Sequence, residues 1–128
     1  VAESVLDSSV LISVISGEAI RAVEEALAHD EAIIPPLVVA ELVTGATTLR
    51  DREEIGNLLQ DVATYPTALG HWIEVGFLRQ ALRRSGLSIT LPDAHIAQCA
   101  LERDATLITR DNVFAKIARH TKLRVINA

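Results

Sequence analysis

Short apolar runs alternate with helix-period segments along this chain, and that alternation limits what it can fold into. "SVL" at 4–6 leads to Asp7, "AII" at 32–34 leads to Pro35 and Pro36, and "ATLIT" at 105–109 leads to Arg110 and Asp111; "LRVI" follows at 123–126. Between them, "EAIRAVEEALAHD" sets Ile20, Val23, Ala26 and Leu27 at the spacing of an amphipathic helix. "LVVAELVTGATTL" starts behind two prolines, which suit a first helical turn. "REEIGNLLQDV" and "HWIEVGFLRQALRRSG" are amphipathic too, the second ending at Gly86 in a C′ position. "PDAHIAQCALERD" is a further helix with Pro near its start. Strands alternating with helices imply a parallel sheet between helical layers. The expected fold is therefore α/β, a three-layer α/β/α architecture with a central parallel sheet of four or five short strands, "VATYPT" being the candidate fifth.

Length and composition narrow the class. The 128 residues, 49% of them hydrophobic, suit one domain over 1–128 with a sizeable core. No run approaches the roughly 18 uninterrupted apolar residues of a membrane helix. No basic stretch precedes an apolar core and cleavage site near the N-terminus, so secretion has no support. Val1 in place of Met, with no Met anywhere, points to an unusual start codon or a trimmed chain. Cys99 is the only cysteine, which excludes an intrachain disulfide framework and a thiolate zinc cluster. Its apolar helical setting predicts a buried, inert thiol. These features fit a reducing cytoplasm. The net charge of −5 divides unevenly, with 12 acids and 3 bases in residues 1–64 and 5 acids and 9 bases in residues 65–128. The basic second half is a candidate surface for a polyanion, although charged helix faces are commonly just solvated.

Four acids matter most. In such sheets ligands bind outside the carboxyl ends of the strands, where Asp7 and Asp111 fall. Asp7, Asp93 and Asp111 each sit at or near a predicted helix N-terminus, where a capping role is the plain alternative. Glu41 has no such role: it lies inside a helix among Leu37, Val38, Val39, Ala40, Leu42 and Val43. It must either face solvent or be partnered, because ionised Glu is almost never fully buried alone. Phosphoryl chemistry needs cations to neutralise charge on the attacking and leaving oxygens. Mg²⁺ and Mn²⁺ are held by carboxylates, water and substrate phosphate. Three Asp at strand-to-helix junctions and one Glu on a neighbouring helix are a candidate set for such a site. Thr109 and Ser8 add hydroxyls for positioning a ligand or water; helix capping is the simpler role for Ser8.

"VLDSSVLI", "VVAELVTG", "LPDAHIAQCAL" and "LITRDNVF" resemble the successive acidic motifs of PIN domains, especially the VapC-type toxins of bacterial and archaeal toxin–antitoxin pairs. Asp7, Glu41, Asp93 and Asp111 fall on the four family acids in order, and Thr109 matches the hydroxyl residue two places before the last. The resemblance spans essentially the whole chain, though residues 50–85 carry little of it. It implies a PIN-like fold and a metal-dependent endoribonuclease. Asp7 and Asp93 would hold Mg²⁺ or Mn²⁺, Asp111 would complete the metal site directly or through water, and Glu41 would orient or activate the attacking water. It also implies an RNA substrate, a homodimer and a cognate antitoxin whose basic side chains enter the acidic pocket.

The remaining features are weaker. His95, two residues after Asp93, points away from it and reads as a helix-face residue, while His29, His71 and His120 show no metal spacing. Trp72, Phe77 and Leu78 read as core or a partner surface. Arg79, Arg83 and Arg84 fall on adjacent helix faces, open to RNA phosphates or to solvent alone. Among rivals, a phosphorelay receiver wants adjacent acids after the first strand and a late lysine; Ser8 follows Asp7, and Lys116 and Lys122 are poorly placed. A dehalogenase-type phosphatase wants an acid where Ser9 stands. A catalytically silent PIN-like binding module is the non-enzyme alternative.

Overall fold

A computed structural model describes residues 2–128; Val1 lies outside the described residues. The chain runs β1 (Ser4–Leu6), α1 (Ser8–Ile15), α2 (Arg21–Ala28), β2 (Ala32–Ile34), α3 (Pro36–Gly45), α4 (Leu49–Asp61) and β3 (Ala63–Thr64). It continues through α5 (Leu69–Arg84), α6 (Leu91–Arg103), β4 (Thr106–Thr109), α7 (Val113–Ala118) and β5 (Arg124–Asn127). The five strands form one sheet in the order β3-β2-β1-β4-β5, and every pairing is parallel. This is the expected α/β architecture with five strands. The order differs from the 2-1-3-4-5 arrangement of flavodoxin-like folds, to which receivers belong.

The sheet is apolar where it is covered. All three residues of β2 are buried, as are Val5 and Leu6 of β1 and Leu107 and Ile108 of β4, which is the composition of strands packed on both faces. Helices α1, α3 and α4 contact one another, and α6 packs against α5 and α7. Right-handed crossovers place connections that run in opposite directions along a parallel sheet on opposite faces. The direction reverses between β1 and β4, so the crevice of the fold opens there.

Two boundaries differ from the periodicity reading. The stretch 37–49 is not one helix: α3 ends at Gly45, and Thr48 caps α4 by accepting a hydrogen bond from the Asp51 N–H at 3.1 Å. "VATYPT" yields only the two-residue β3. The Tyr65 N–H still donates to the Ile34 carbonyl at 2.8 Å, but Pro66 has no N–H with which to extend the ladder.

Helix α5 stops as its Gly86 predicts. The Leu87 N–H donates to the Leu82 carbonyl at 2.9 Å and the Gly86 N–H to the Arg83 carbonyl at 3.0 Å, the two bonds of a Schellman ending. Gly86 has φ +86°, and a Cβ placed there would meet no atom within 4 Å. Substitution therefore costs backbone strain without a clash. Gly86→Ala is expected to destabilise the chain by about 1 kcal/mol, lowering the melting temperature by a few degrees. An unchanged melting curve would mean that the left-handed turn is not what ends α5.

Candidate active site

The register of β1 against β4 builds the centre of the site. Leu6 pairs with Ile108, and the Asp7 N–H donates to the Ile108 carbonyl at 3.2 Å. The next residues on each strand, Asp7 and Thr109, therefore come side by side at the carboxyl edge. Both are buried, Asp7 at 4% exposure and Thr109 at 0%. Thr109 Oγ1 donates to Asp7 Oδ2 at 2.7 Å, Ser9 Oγ donates to the same oxygen at 2.9 Å, and the Ser8 N–H donates to Oδ1 at 2.7 Å. The hydroxyls also receive: Thr109 Oγ1 accepts the Asp111 N–H and Ser9 Oγ accepts the Arg110 N–H, each at 3.0 Å. One cradle of two hydroxyls thus fixes Asp7 and holds the backbone that carries Asp111.

Ser9 is the residue that the sequence reading passed over. It stands two places after Asp7, as Thr109 stands two places before Asp111, and that matched spacing was the available signal. Ser8 contributes chiefly its main-chain N–H, since its hydroxyl lies 3.4 Å from Asp7 Oδ1.

The other acids arrive from separate elements. Asp93 lies in the first turn of α6, but Thr90 is the cap, accepting the Asp93 N–H at 3.2 Å. The capping alternative for Asp93 is thereby corrected: a better-placed hydroxyl already fills that role. Asp111 does act locally, with Oδ1 accepting the Val113 N–H at 3.0 Å, and it is exposed. Asp7 caps α1 and faces the crevice at once. Glu41 sits on the solvent-open side of α3, yet it is close enough to Asp7 and Asp93 to feel their charge.

Electrostatics tie the four together. Burial, then the charges of Asp7 and Asp93, push the Glu41 carboxyl above its ordinary value. Burial also pushes Asp93 up; a hydrogen bond with Thr90 opposes this, and the charges of Asp111 and Asp7 add to it. Among the described residues no Lys, Arg or His forms an ion pair with any of these acids. Arg110, the nearest base in sequence to Asp111, is engaged by Glu18 and by Ser13 Oγ, the latter at 3.1 Å. The donor set is carboxylate and hydroxyl oxygen, which fits a hard divalent cation such as Mg²⁺ or Mn²⁺.

Mutual repulsion has a measurable consequence. For Glu41 and Asp93 the folded-state pKa lies above the unfolded value, so the folded chain binds more protons between the two. Their stabilising contribution is present below the unfolded pKa and is lost as pH rises through the folded pKa. In chelator, the protein is expected to melt higher in mildly acidic buffer than at neutral pH. Glu41→Gln should raise the neutral melting temperature and shrink that difference; a variant that melts lower at neutral pH would contradict the repulsion.

A family profile described as PIN domain matches residues 4–120. Among solved structures the chain is similar to VapBC2 from Rickettsia felis bound to a promoter DNA fragment, with 20% identity, a TM-score of 0.82 and 98% of both chains covered. It is similar to VapBC-5 from Mycobacterium tuberculosis, a member of the VapBC family of toxin–antitoxin systems, with 28% identity, a TM-score of 0.71 and 100% of both chains covered. VapBC-1 from nontypeable Haemophilus influenzae is similar at 21% identity and a TM-score of 0.76, with 97% of this chain and 96% of that one covered. No curated protein sequence matches. Because the profile match runs through every element from β1 to α7, the chain belongs to the PIN domain family.

Proposed function

We propose that this chain, as a single PIN domain, is the nuclease toxin of a VapBC-type toxin–antitoxin pair and hydrolyses RNA phosphodiester bonds with Mg²⁺ or Mn²⁺. The observation that supports this reading is electrostatic: Glu41 feels the charges of Asp7 and Asp93, Asp93 feels those of Asp111 and Asp7, and none of the four has a basic partner among the described residues. Burial, and then the charge of neighbouring carboxylates, pushes Glu41 and Asp93 above their ordinary values with no basic partner beside them, and a cation offsets that cost. Asp7, Asp93 and Asp111 would hold the cation. When bound, it supplies neutralisation of the charge that builds on the phosphodiester oxygens.

The chain's own groups perform the rest. A carboxylate offers about four acceptor positions; three short hydrogen bonds fix Asp7, and the fourth position is met only by the Ser8 hydroxyl at 3.4 Å from Oδ1, a long contact that a cation would replace. Thr109 and Ser9 thus orient the carboxylate, and neither needs to touch the substrate. Glu41, with its raised pKa, is suited to accept the proton of a water that adds to phosphorus as a P–O ester bond breaks.

Partner surfaces agree with the reading. An apolar groove lined by Ile12, Ile15, Leu42 and Ile55 has Glu41 on its rim, a shape suited to an antitoxin segment that carries a basic side chain into the acids. Leu69, Trp72, Ile73 and Phe77 expose apolar surface along one side of α5, which suits a homodimer. No helix among the described residues is long and apolar enough to cross a membrane, in keeping with action in the cytoplasm.

Asp93→Asn is expected to keep a native-like circular dichroism spectrum and to lose Mn²⁺-dependent cleavage of total RNA. Glu41→Gln should lose about 10²–10⁴-fold at saturating metal. Cleavage by folded Asp93→Asn at the wild-type rate would remove the acids from the chemistry. A folded wild-type chain that binds RNA without cutting it would favour the silent binding module.

A further inference from the structure

A second polar cluster, which shares none of the four acids, sits at the packing contact of α5 with α6. His71 comes from the first turn of α5; His95 and Cys99, four residues apart, share one face of α6. The three are 6%, 0% and 0% exposed. His71 Nε2 stands 2.7 Å from His95 Nδ1, and His95 Nε2 stands 3.9 Å from Cys99 Sγ. One ligand atom from each of the three can be chosen so that all lie within 4.8 Å of one another. On its outer side His71 Nδ1 faces Glu102 Oε1 at 2.9 Å, and Tyr65 donates its hydroxyl hydrogen to the other Glu102 oxygen. The Trp72 ring stacks on His95 with centroids 4.7 Å apart and planes 7° from parallel.

We propose that His71, His95 and Cys99 form a binding site for a borderline-soft divalent cation of the zinc type, with Glu102 as the carboxylate that orients His71. Imidazole and thiolate are the donors such cations prefer, and Mg²⁺ does not. A His that ligates a metal typically places its other ring nitrogen against a carboxylate, which is what Glu102 supplies. Tetrahedral bonds of about 2.0–2.1 Å to nitrogen and 2.3 Å to sulfur set the donor atoms roughly 3.3–3.6 Å apart. The two imidazoles therefore open by about half an ångström while Cys99 closes in, a side-chain adjustment between two helices. A fourth position is left for water or a small ligand, under the cover of Trp72.

Without metal the cluster satisfies itself, since no buried side-chain polar atom among the described residues lacks a hydrogen-bond partner. Burial, followed by the charge of His71, holds His95 neutral, down to about 4, and neutral imidazole is the ligating form. Burial, then Glu102, pushes the Cys99 thiol up to about 12. Cys99 is thus a thiol until the metal–sulfur bond forms, and its proton leaves to solvent as that bond forms. Binding releases one proton per cation and weakens as pH falls. Cys99 is buried, as its apolar helical setting predicts, and a site with one thiolate and two imidazoles lies outside the exclusion of a thiolate cluster that a single cysteine imposes.

The test uses the full chain, reduced, stripped by chelator and held in excess Mg²⁺, titrated with Co²⁺. One equivalent is expected to raise a near-ultraviolet thiolate-to-cobalt charge-transfer band, which Zn²⁺ then bleaches. The band should survive in Asp7→Asn/Asp93→Asn, which separates this site from the acid cleft and makes the result independent of the nuclease reading. Glu102→Gln should weaken cobalt binding about 10–100-fold. Folded wild type that shows no thiolate band at saturating Co²⁺ overturns the site without recourse to any variant. Folded His71→Gln with wild-type cobalt affinity also overturns it, because Cys99 would then be binding metal without the cluster.

Discussion

The pairing of β1 with β4 is the contact on which the rest of the molecule turns. It joins residues about a hundred positions apart and brings together the two strands from which the chain departs in opposite directions. Its register sets Asp7 beside Thr109, and the 2.7 Å bond between them is the first link of the candidate site. A slip of one residue would turn Thr109 to the other face of the sheet and leave the Asp7 carboxylate buried without that donor. The apolar pattern that secures the core thus also secures the position of the first acid.

Two polar clusters flank this framework, and they solve burial in different ways. At the acid cleft the hydroxyls of Ser9 and Thr109 satisfy Asp7, while Glu41 and Asp93 remain under repulsion from neighbouring carboxylates. That cleft stays open, with Glu41 and Asp111 in contact with solvent. Between α5 and α6 the chain Tyr65–Glu102–His71–His95 is closed by its own hydrogen bonds. Burial alone would push the Glu102 carboxyl up, but hydrogen bonds from Tyr65, His71 and Gln98 hold it below its ordinary value. Unpaired charge is the ground on which the first cluster is proposed to take a cation, whereas for the second the ground is the identity of the donor atoms.

Much of this was legible in the residues. The runs "SVL" and "AII" are the strands β1 and β2 to the residue, because apolar residues flanked by Asp or Pro leave little choice of boundary. Gly86 announced its turn for the same kind of local reason. The division between α3 and α4 was less visible: "GATT" carries the cap at Thr48 but also apolar residues that continue a helical period. Asp93 looked like a cap until Thr90, three residues earlier, proved to be a better one. The approach of His71 to His95 was hidden, since a gap of 24 residues crosses a helix, a loop and another helix. The four-residue spacing of His95 and Cys99 was visible, but it needs the third donor before it means anything.

The central claim is that Asp7, Glu41, Asp93 and Asp111 surround a cation. Crystals of the protein grown with Mn²⁺ and measured for anomalous scattering test it most directly. The account predicts an anomalous peak in the crevice, bonded to Asp7 and Asp93 at about 2.1 Å, the distance of a hard octahedral cation, with Glu41 lining the same space. Saturating Mn²⁺ with no peak at these acids in an intact crystal would contradict it.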